Sequence, residues 1–359
     1  MMMPHSEIIG WLRETDPARI ESLRSEADEV RQAFVGEAIH LRGILDFSNH
    51  CTRRCTYCGI NADNRELRRY LMSVDEIMAC VRPFESQSLM TIVLQSGEDS
   101  RLITTTWITD LIRRIRDETE LAITLSLGER RPEELEEWRA AGAGRYLLKI
   151  ETSDRALYES TQPGRRDAWQ RRMETLQTLR DLDYEVGSGI MVGLPGQTFE
   201  MLADDLVHFA EFEPDMIGIG PWLPHPATAL VDASWAGTDQ VTDDTAVTLK
   251  VLALARLICP DTNLPATTAL FTAGGQQARV SGLSGGANVI MPDLTPARFG
   301  EMYTIYPSRR SFDPGNLEDL KEVILGMGRT ISSDSGRSVS YLKRRTAESV
   351  TQAGPEPVR

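Results

Sequence analysis

Residues 43–58, Gly-Ile-Leu-Asp-Phe-Ser-Asn-His-Cys-Thr-Arg-Arg-Cys-Thr-Tyr-Cys, join a short apolar run to a turn that carries three cysteines. The run Gly43–Phe47 is short and mostly apolar, which is typical of a strand buried in a parallel sheet. Cys51, Cys55 and Cys58 follow at once. The sequence therefore predicts a chemically active loop at the carboxyl end of the first strand.

The same arrangement recurs along the chain. Seven further apolar runs are predicted as strands: Thr91–Leu94, Ala122–Ser126, Tyr146–Lys149, Gly189–Val192, Met216–Ile219, Leu264–Thr267 and Ala287–Ile290. Amphipathic stretches separate them. Ser73-Val-Asp-Glu76 has the pattern of a capping box at the start of a helix, and Thr242–Ile258 has apolar residues near helical spacing. Strands and helices in alternation predict an α/β fold, a (βα)8 TIM-type barrel. An open doubly wound sheet is the alternative architecture.

Three segments are expected. Residues 1–40 are predicted to be an N-terminal helical segment, in which Asp16 caps a helix that begins at Pro17. Residues 41–307 form the barrel, and residues 308–359 form a C-terminal extension with a helix and a flexible tail. The last thirty residues are rich in Ser, Thr, Arg and Pro, so a loosely held tail is expected there.

Charge and composition exclude several classes of protein. The 359 residues include 39 Lys and Arg against 53 Asp and Glu, a net charge of −14. Such a surface disfavours nucleic acid and anionic membrane as partners, although a local basic pocket can still bind a small anion. No signal-peptide pattern and no apolar stretch of the ~20 residues needed to span a bilayer is visible, which predicts a cytoplasmic protein.

Polar or glycine-rich turns follow nearly every predicted strand. After the cysteine turn they are Gln95–Asp99, Ser126–Glu129, Glu151–Thr152, Gly193–Thr198, Pro221–His225, Thr267–Thr268 and Met291–Pro292. Active sites of (βα)8 barrels lie at the carboxyl ends of the strands. The sequence therefore predicts an enzyme whose site is built from these turns.

The cysteine spacing indicates the kind of metal centre. The pattern Cys51-x3-Cys55-x2-Cys58 supplies three thiolates from one loop, which can hold three irons of a 4Fe–4S cluster and leave the fourth iron open for a small molecule. A zinc site is the alternative, with His50 as a further ligand. Cys80 and Cys259 lie alone in apolar segments and are expected to be buried structural thiols.

Together with Tyr57 just before the last cysteine, this motif resembles the radical S-adenosylmethionine (SAM) superfamily. Within that superfamily the chain is most similar to HydE, the family of FeFe-hydrogenase maturases, and less similar to biotin synthase and methylornithine synthase. The resemblance runs from about residue 40 to residue 307. The strings that carry it are Phe47–Cys51, Val93–Asp99, Thr124–Glu129, Arg145–Leu148, Met191–Thr198, Ile217–Pro226, Pro265–Ala269 and Gly286–Pro292.

The resemblance implies a 4Fe–4S cluster and SAM as cofactors. It implies reductive cleavage of SAM to a 5′-deoxyadenosyl radical, which then acts on a small amino-acid-derived substrate that can carry sulfur or iron, during metallocofactor maturation. The implied partners are this small molecule, an electron donor of the flavodoxin or ferredoxin type, and other maturation proteins. The protein's part is to orient the reactants and exclude water.

The resemblance also implies a role for individual residues. Cys51, Cys55 and Cys58 would hold the cluster. The expected SAM-binding residues are Tyr57, Gln95, Gly97, Glu98, Asp99, Glu151, Arg172, Met191, Met216, Ile217 and Pro224. The expected substrate-binding residues are Ser96, Arg145, Lys149, Thr267, Thr268, Tyr303 and Tyr306. Ordinary ion pairing is the alternative for Arg145, Lys149 and Arg172.

One departure from the family keeps other functions open. Lys149-Ile150-Glu151-Thr152 stands where such maturases usually have Arg-His-Glu-Thr. Losing the histidine removes a titratable group, and replacing Arg by Lys exchanges a rigid fork for a mobile point charge. A radical SAM mutase that acts on a free amino acid, similar to methylornithine synthase, is therefore an alternative. A metal-delivering scaffold without enzymatic activity is the other.

Overall fold

The computed structural model describes residues 3–233, 237, 239–242, 245–309 and 314–352, with side chains left out at 314–316 and 348–352. These described residues contain nine strands: β1 Ala38–Ser48, β2 Thr91–Ser96, β3 Ala122–Ser126, β4 Arg145–Leu147, β5 Glu185–Val192, β6 Met216–Pro221, β7 Pro265–Ala266, β8 Val289–Ile290 and β9 Thr330–Ile331. The helices are α1 His5–Arg13, α2 Pro17–Val35, α3 Val74–Val81, α4 Thr105–Glu118, α5 Pro132–Ala141, α6 Arg155–Ser160, α7 Ala168–Asp181, α8 Phe199–Phe212, α9 Thr245–Ile258, α10 Thr268–Leu283, α11 Ala297–Gly300, α12 Pro314–Gly326 and α13 Val339–Gln352.

The strands form one parallel sheet in the order β6-β5-β4-β3-β2-β1-β8-β7, which curls into a nearly closed barrel. The remaining seam lies between β6 and the residues just before β7. Two backbone hydrogen bonds bridge it, from Ile217 N to the Asn263 carbonyl at 3.0 Å and from Asn263 N to the Asp215 carbonyl at 3.1 Å. The predicted eight-stranded barrel is confirmed, and the open sheet is not what forms.

Local sequence signals account for the helices that cover the barrel. The predicted caps are present: the Asp16 side chain accepts from Ala18 N, and Ser73 and Glu76 form a capping box. Helix α4 presents Ile108, Leu111, Ile112 and Ile115 on one buried face. This spacing follows the 3.6-residue period and turns the apolar side of the helix toward the sheet.

The C-terminal extension corrects an expectation. Its residues 330–349 are not a loose tail: β9 pairs with β1, and the segment that follows covers the amino-terminal end of the barrel. The Gly336 carbonyl accepts from Arg42 Nη2 at 2.8 Å and from Asn263 Nδ2 at 3.0 Å, and Arg344 pairs with Asp215 at 2.7 Å. These long-range polar contacts hold a segment that has little apolar periodicity. Residues 310–313 and 353–359 of the extension lie outside the described residues.

In the part of the chain that the structure describes, no helix combines the length and the apolar character that a bilayer crossing requires.

Candidate active site

A cavity of about 340 Å³ opens at the carboxyl ends of the barrel strands. It brings together most of the residues that the sequence singled out. Those that line it are Cys51, Cys55, Tyr57, Cys58, Gln95, Ser96, Gly97, Glu98, Lys149, Glu151, Arg172, Met191, Met216, Thr267, Thr268, Tyr303 and Tyr306. Residues that are more than 250 positions apart in the chain thus share one chamber, because parallel strands end on the same rim.

The cysteine loop lies directly against the turn that follows β2. Thr52 N donates to the Glu98 carbonyl at 2.8 Å, and Gly97 N donates to the Ser48 carbonyl at 3.0 Å. A Cβ atom on Gly97 would lie 2.4 Å from the His50 carbonyl oxygen and 2.9 Å from Cys51 Cβ. Only glycine therefore allows the two turns to approach this closely.

The three thiols suit a positively charged iron centre. Burial raises the pKa of Cys51, raises that of Cys55 to about 11 with a contribution from Cys51, and raises that of Cys58 well above its usual range. Buried thiols with raised pKa values become thiolates only beside a compensating cation, and a metal ligand must be deprotonated. Three thiols on one wall of a chamber, with open space beside them, fit a cluster that keeps one iron open to a small molecule.

A network of arginine–glutamate ion pairs lies next to the cysteine loop and includes Arg53 of that loop. Arg53 pairs with Glu98, while Glu129 accepts from Arg172 Nε at 2.9 Å and pairs with Arg165. Burial alone would raise the pKa of Glu129, but the hydrogen bonds and charges of Arg165 and Arg172 lower it to about 2. Arg172 also donates to the Lys149 carbonyl. The guanidinium of Arg172 is thus held at the cavity wall in a set orientation.

Lys149 and Glu151 form an ion pair at the cavity wall, with Lys149 Nζ 3.1 Å from Glu151 Oε2. Glu151 adopts φ of 62°, in the left-handed region that non-glycine residues rarely occupy. Its carbonyl accepts from Met191 N at 3.0 Å, which ties this turn to β5. Ile150, between them, is completely buried in the apolar core. Ile150 therefore belongs to the core, whereas Lys149 lines the cavity.

Three of the expected SAM-binding residues do not face the cavity. On β6 side chains alternate, so Met216 lines the cavity and Ile217 belongs to the apolar core. Asp99 accepts hydrogen bonds from the Arg101 backbone and guanidinium, which stabilise the turn after β2. Pro224 is exposed to solvent. These three side chains thus lie outside the cavity lining, and a role for these residues toward SAM stays a prediction.

Arg145 corrects the sequence-based expectation of a residue at the cavity, since it lies at the opposite end of the barrel. It is the first residue of β4, it pairs with Glu185 Oε2 at 2.8 Å, and its Nη1 donates to Thr91 Oγ1 at 2.9 Å. Side chains at the amino-terminal ends of barrel strands support the fold rather than the site. Of the alternatives weighed for Arg145, ion pairing is what the structure contains.

Hydrogen bonds and burial fix several other polar residues of the cavity wall. Thr267 Oγ1 accepts from Leu270 N at 3.2 Å as the cap of α10 and donates to the Ile219 carbonyl at 3.0 Å. Thr268 Oγ1 donates to the Met291 carbonyl at 3.4 Å. Tyr303 is buried, and burial raises the pKa of both Tyr303 and Tyr306. At neutral pH both phenols are therefore protonated donors.

Two charged residues escaped the sequence analysis, Arg309 in the cavity wall and Asp46 buried behind it. Arg309 lines the cavity, pairs with the buried Asp46 and lies 3.1 Å from Asp293 Oδ2. Asp46 Oδ1 also accepts from Gln95 Nε2 at 2.9 Å. A charged residue inside the apolar run Gly43–Phe47 was the available signal for Asp46. No local pattern marked Arg309.

Comparisons with known proteins agree with this geometry. The sequence profile of the Radical SAM superfamily matches residues 45–208. The [FeFe] hydrogenase maturase subunit HydE of Thermotoga maritima is 43% identical over 291 residues, 80% of this chain and 80% of that protein. The 3-methylornithine synthase of Methanosarcina acetivorans is 28% identical over 278 residues, 76% of this chain and 74% of that protein.

A solved structure shows the same fold. The crystal structure of methylornithine synthase (PylB) superposes with a TM-score of 0.82 at 22% identity, over 92% of this chain and 95% of that one.

Proposed function

Because this chain belongs to the radical SAM superfamily, we propose that it is a HydE-type enzyme that acts on a small amino-acid-derived substrate during metallocofactor assembly. Members of this superfamily bind a 4Fe–4S cluster and SAM, and the chain is an enzyme of that kind rather than a metal-delivering scaffold. The similarity to HydE, at 43% identity, supports the finer assignment.

The single observation that carries the proposal is the shared cavity. The three cysteines, the charged pair of Lys149 and Glu151, and the hydroxyl-bearing residues Thr267 and Thr268 all line one chamber. A radical reaction requires that its generator and its target lie in one enclosed space, so that the radical meets the substrate before it meets solvent.

Each part of the cavity has a role in the proposal. Cys51, Cys55 and Cys58 would hold the cluster, which when reduced supplies the electron that splits SAM into methionine and the 5′-deoxyadenosyl radical. Glu151 would accept from the methionine ammonium, and Arg172 offers a guanidinium for its carboxylate or the ribose oxygens. Both residues are held before any ligand arrives, Arg172 by Glu129 and Glu151 by its backbone hydrogen bonds.

Apolar and uncharged residues would confine the radical and orient its target. Met191 and Met216 line the cavity and exclude water from the reacting atoms. Gln95, Ser96 and Tyr306, which line the same cavity, offer hydrogen bonds to the polar groups of an amino-acid-derived molecule. The substrate would thus be held by neutral donors and acceptors, with Lys149 as the cation nearer the SAM side.

We further propose a cytoplasmic location, a low-potential electron donor of the flavodoxin or ferredoxin type, and functional association with other maturation proteins. The cysteine-only ligand set and the need for a strong reductant support this proposal.

The test is SAM cleavage by the anaerobically reconstituted protein. With dithionite and SAM, the loaded protein should form 5′-deoxyadenosine, and a Cys55→Ser variant should form none. Cys80→Ser is the matched control, since Cys80 lies in α3, away from the cavity, and its replacement should leave the product yield unchanged. Absence of 5′-deoxyadenosine from a fully loaded wild-type protein would overturn the proposal.

Rearrangement of a free amino acid is a second candidate, favoured by the cavity-lining Lys149 in place of the family's arginine and by the similarity to 3-methylornithine synthase. Deuterium transfer distinguishes the two. Label passing into 5′-deoxyadenosine from deuterated lysine supports rearrangement, whereas label from a deuterated cysteine or thiazolidine compound supports the HydE-type reaction.

A further inference from the structure

A buried glutamine bridges two residues of the cysteine loop. Gln162, just beyond α6, is only 2% exposed. Its Oε1 lies 3.3 Å from Cys55 Sγ, and its Nε2 lies 3.3 Å from the Tyr57 hydroxyl. The backbone holds it there, since Thr56 N donates to the Thr161 carbonyl at 3.1 Å. Gln162 therefore reaches the cysteine loop from a different element of the barrel.

The direction of these hydrogen bonds depends on the state of the sulfur. A free Cys55 thiol donates to Gln162 Oε1, and Gln162 Nε2 then donates to the Tyr57 oxygen. A cysteine that ligates iron is a thiolate, which has no proton and can only accept. An amide has a donor and an acceptor of nearly equal shape, so rotating its end by half a turn exchanges them. The Tyr57 hydroxyl can then donate to Oε1 while Nε2 donates to Cys55 Sγ.

We propose that Gln162 is a positioning residue that donates an N–H to the Cys55 thiolate and thereby raises the reduction potential of the cluster. The inference rests on the proposed function, because it needs the cluster in place. Hydrogen bonds to cluster sulfurs stabilise the more negative, reduced state.

Cys55 is suited to such control by a side chain. Cys51 Sγ accepts from the backbone N–H groups of Arg53 at 3.4 Å and Glu98 at 3.5 Å, which a change of side chain other than to proline leaves in place. The partner of Cys55 is a side chain, so its contribution can vary between relatives and can be measured by mutation. Tyr57 is the other partner of the amide, and its hydroxyl can accept from Nε2 or donate to Oε1, so it forms a hydrogen bond with Gln162 in either orientation.

The first test measures the midpoint potential of the reconstituted cluster, by titration followed with electron paramagnetic resonance. Gln162→Leu removes the donor, and we expect the equilibrium constant for one-electron reduction to fall about tenfold, a shift of ~59 mV to lower potential. Gln162→Glu replaces the donor with an acceptor and should lower the potential at least as far. Gln170→Leu, at an exposed site on α7, is the control and should match the wild type.

The second test needs no substitution that could impair loading. Wild-type protein carrying ¹⁵N only in glutamine side chains is reduced without SAM, and pulsed electron paramagnetic resonance should detect one coupled ¹⁵N nucleus. A fully loaded Gln162→Leu protein with an unchanged potential, or a wild-type cluster without that coupling, would overturn the proposal. Neither measurement uses SAM cleavage, so a failure here is distinct from a failure of the proposed function.

Discussion

Arg145 Nε donates to Glu185 Oε2 at 2.8 Å, at the end of the barrel that lies opposite the three cysteines. Their side chains are 5% and 6% exposed, so the pair is buried. Glu185 Oε1 also accepts from Ser338 N at 2.8 Å, which connects the pair to the C-terminal extension. Arg145 on β4, Glu185 on β5 and the C-terminal extension therefore form one buried polar network at the end of the barrel away from the site.

Replacing Arg145 by methionine should destabilise the fold without altering the active site. A buried carboxylate that loses its partner typically costs ~3–5 kcal/mol. Urea unfolding of the protein should show this loss in the free energy of unfolding. Arg113→Met, on the exposed surface of α4, should change it by no more than ~0.5 kcal/mol. Full stability combined with an altered substrate KM would instead return Arg145 to the substrate site.

The pair of Asp46 and Arg309 predicts a pH dependence of stability. Burial raises the pKa of Asp46 to about 7; Arg309 opposes this rise and Asp293 adds to it. In the unfolded chain the pKa of an aspartate is about 3.9. Between these values the folded protein holds a proton that the unfolded chain has lost. The stability from this group is therefore fully present below pH ~4 and is lost as the pH rises to about 7.

Asp46→Asn isolates that contribution. The free energy of unfolding of the wild type should fall relative to the variant by up to ~1.4 kcal/mol per pH unit across this window. Urea unfolding from pH 4.5 to 7.5 measures the difference. Asp110→Asn, at an exposed position, should give a curve parallel to the wild type. Parallel curves for Asp46→Asn as well would mean that Asp46 is ionised throughout.

Gly97→Ala should prevent cluster loading. The added methyl group would meet the His50 carbonyl and Cys51 Cβ, so the cysteine loop must move away from the turn after β2. Iron content and visible absorbance after anaerobic reconstitution should both fall severalfold. Gly10→Ala is the control, because nothing lies within 4 Å of its Cβ position in α1. That change should keep full iron content and stabilise the helix by up to ~1 kcal/mol.

The eight barrel strands and the cysteine loop were predictable because their signals are local. An apolar run followed by a polar turn identifies a strand and its carboxyl end, and the capping residues Asp16 and Ser73 identify helix starts. The ends of strands were less accurate. The predicted fourth strand, Tyr146–Lys149, begins one residue late, and its true first residue is Arg145. As the first residue of β4, Arg145 lies at the end of the barrel away from the site, which the predicted boundary does not reveal.

The remaining features depend on contacts between distant parts of the chain. Arg309 meets Asp46 across more than 250 residues, and nothing near either residue encodes that partner. The C-terminal extension has the composition of a disordered tail, yet Arg42 and Asn263 hold the Gly336 carbonyl. Patterns of composition and periodicity describe a segment by itself, so they miss order that a second segment imposes.

Glu151→Gly should separate the stability of the fold from its activity. A non-glycine residue at φ of 62° carries strain of ~1–2 kcal/mol, which glycine relieves at the cost of greater freedom in the unfolded chain. The ion pair with Lys149 is partly exposed and adds little. The free energy of unfolding should therefore stay level or rise by up to ~1 kcal/mol, while SAM binding to the reconstituted protein, measured by calorimetry, weakens at least tenfold.

Glu213→Gly is the matched control, since Glu213 also has positive φ, of 51°, but lies at the end of α8. It should show the same stability change and unaltered SAM binding, whereas a destabilised Glu151→Gly protein that still binds SAM would mean that Glu151 serves the fold.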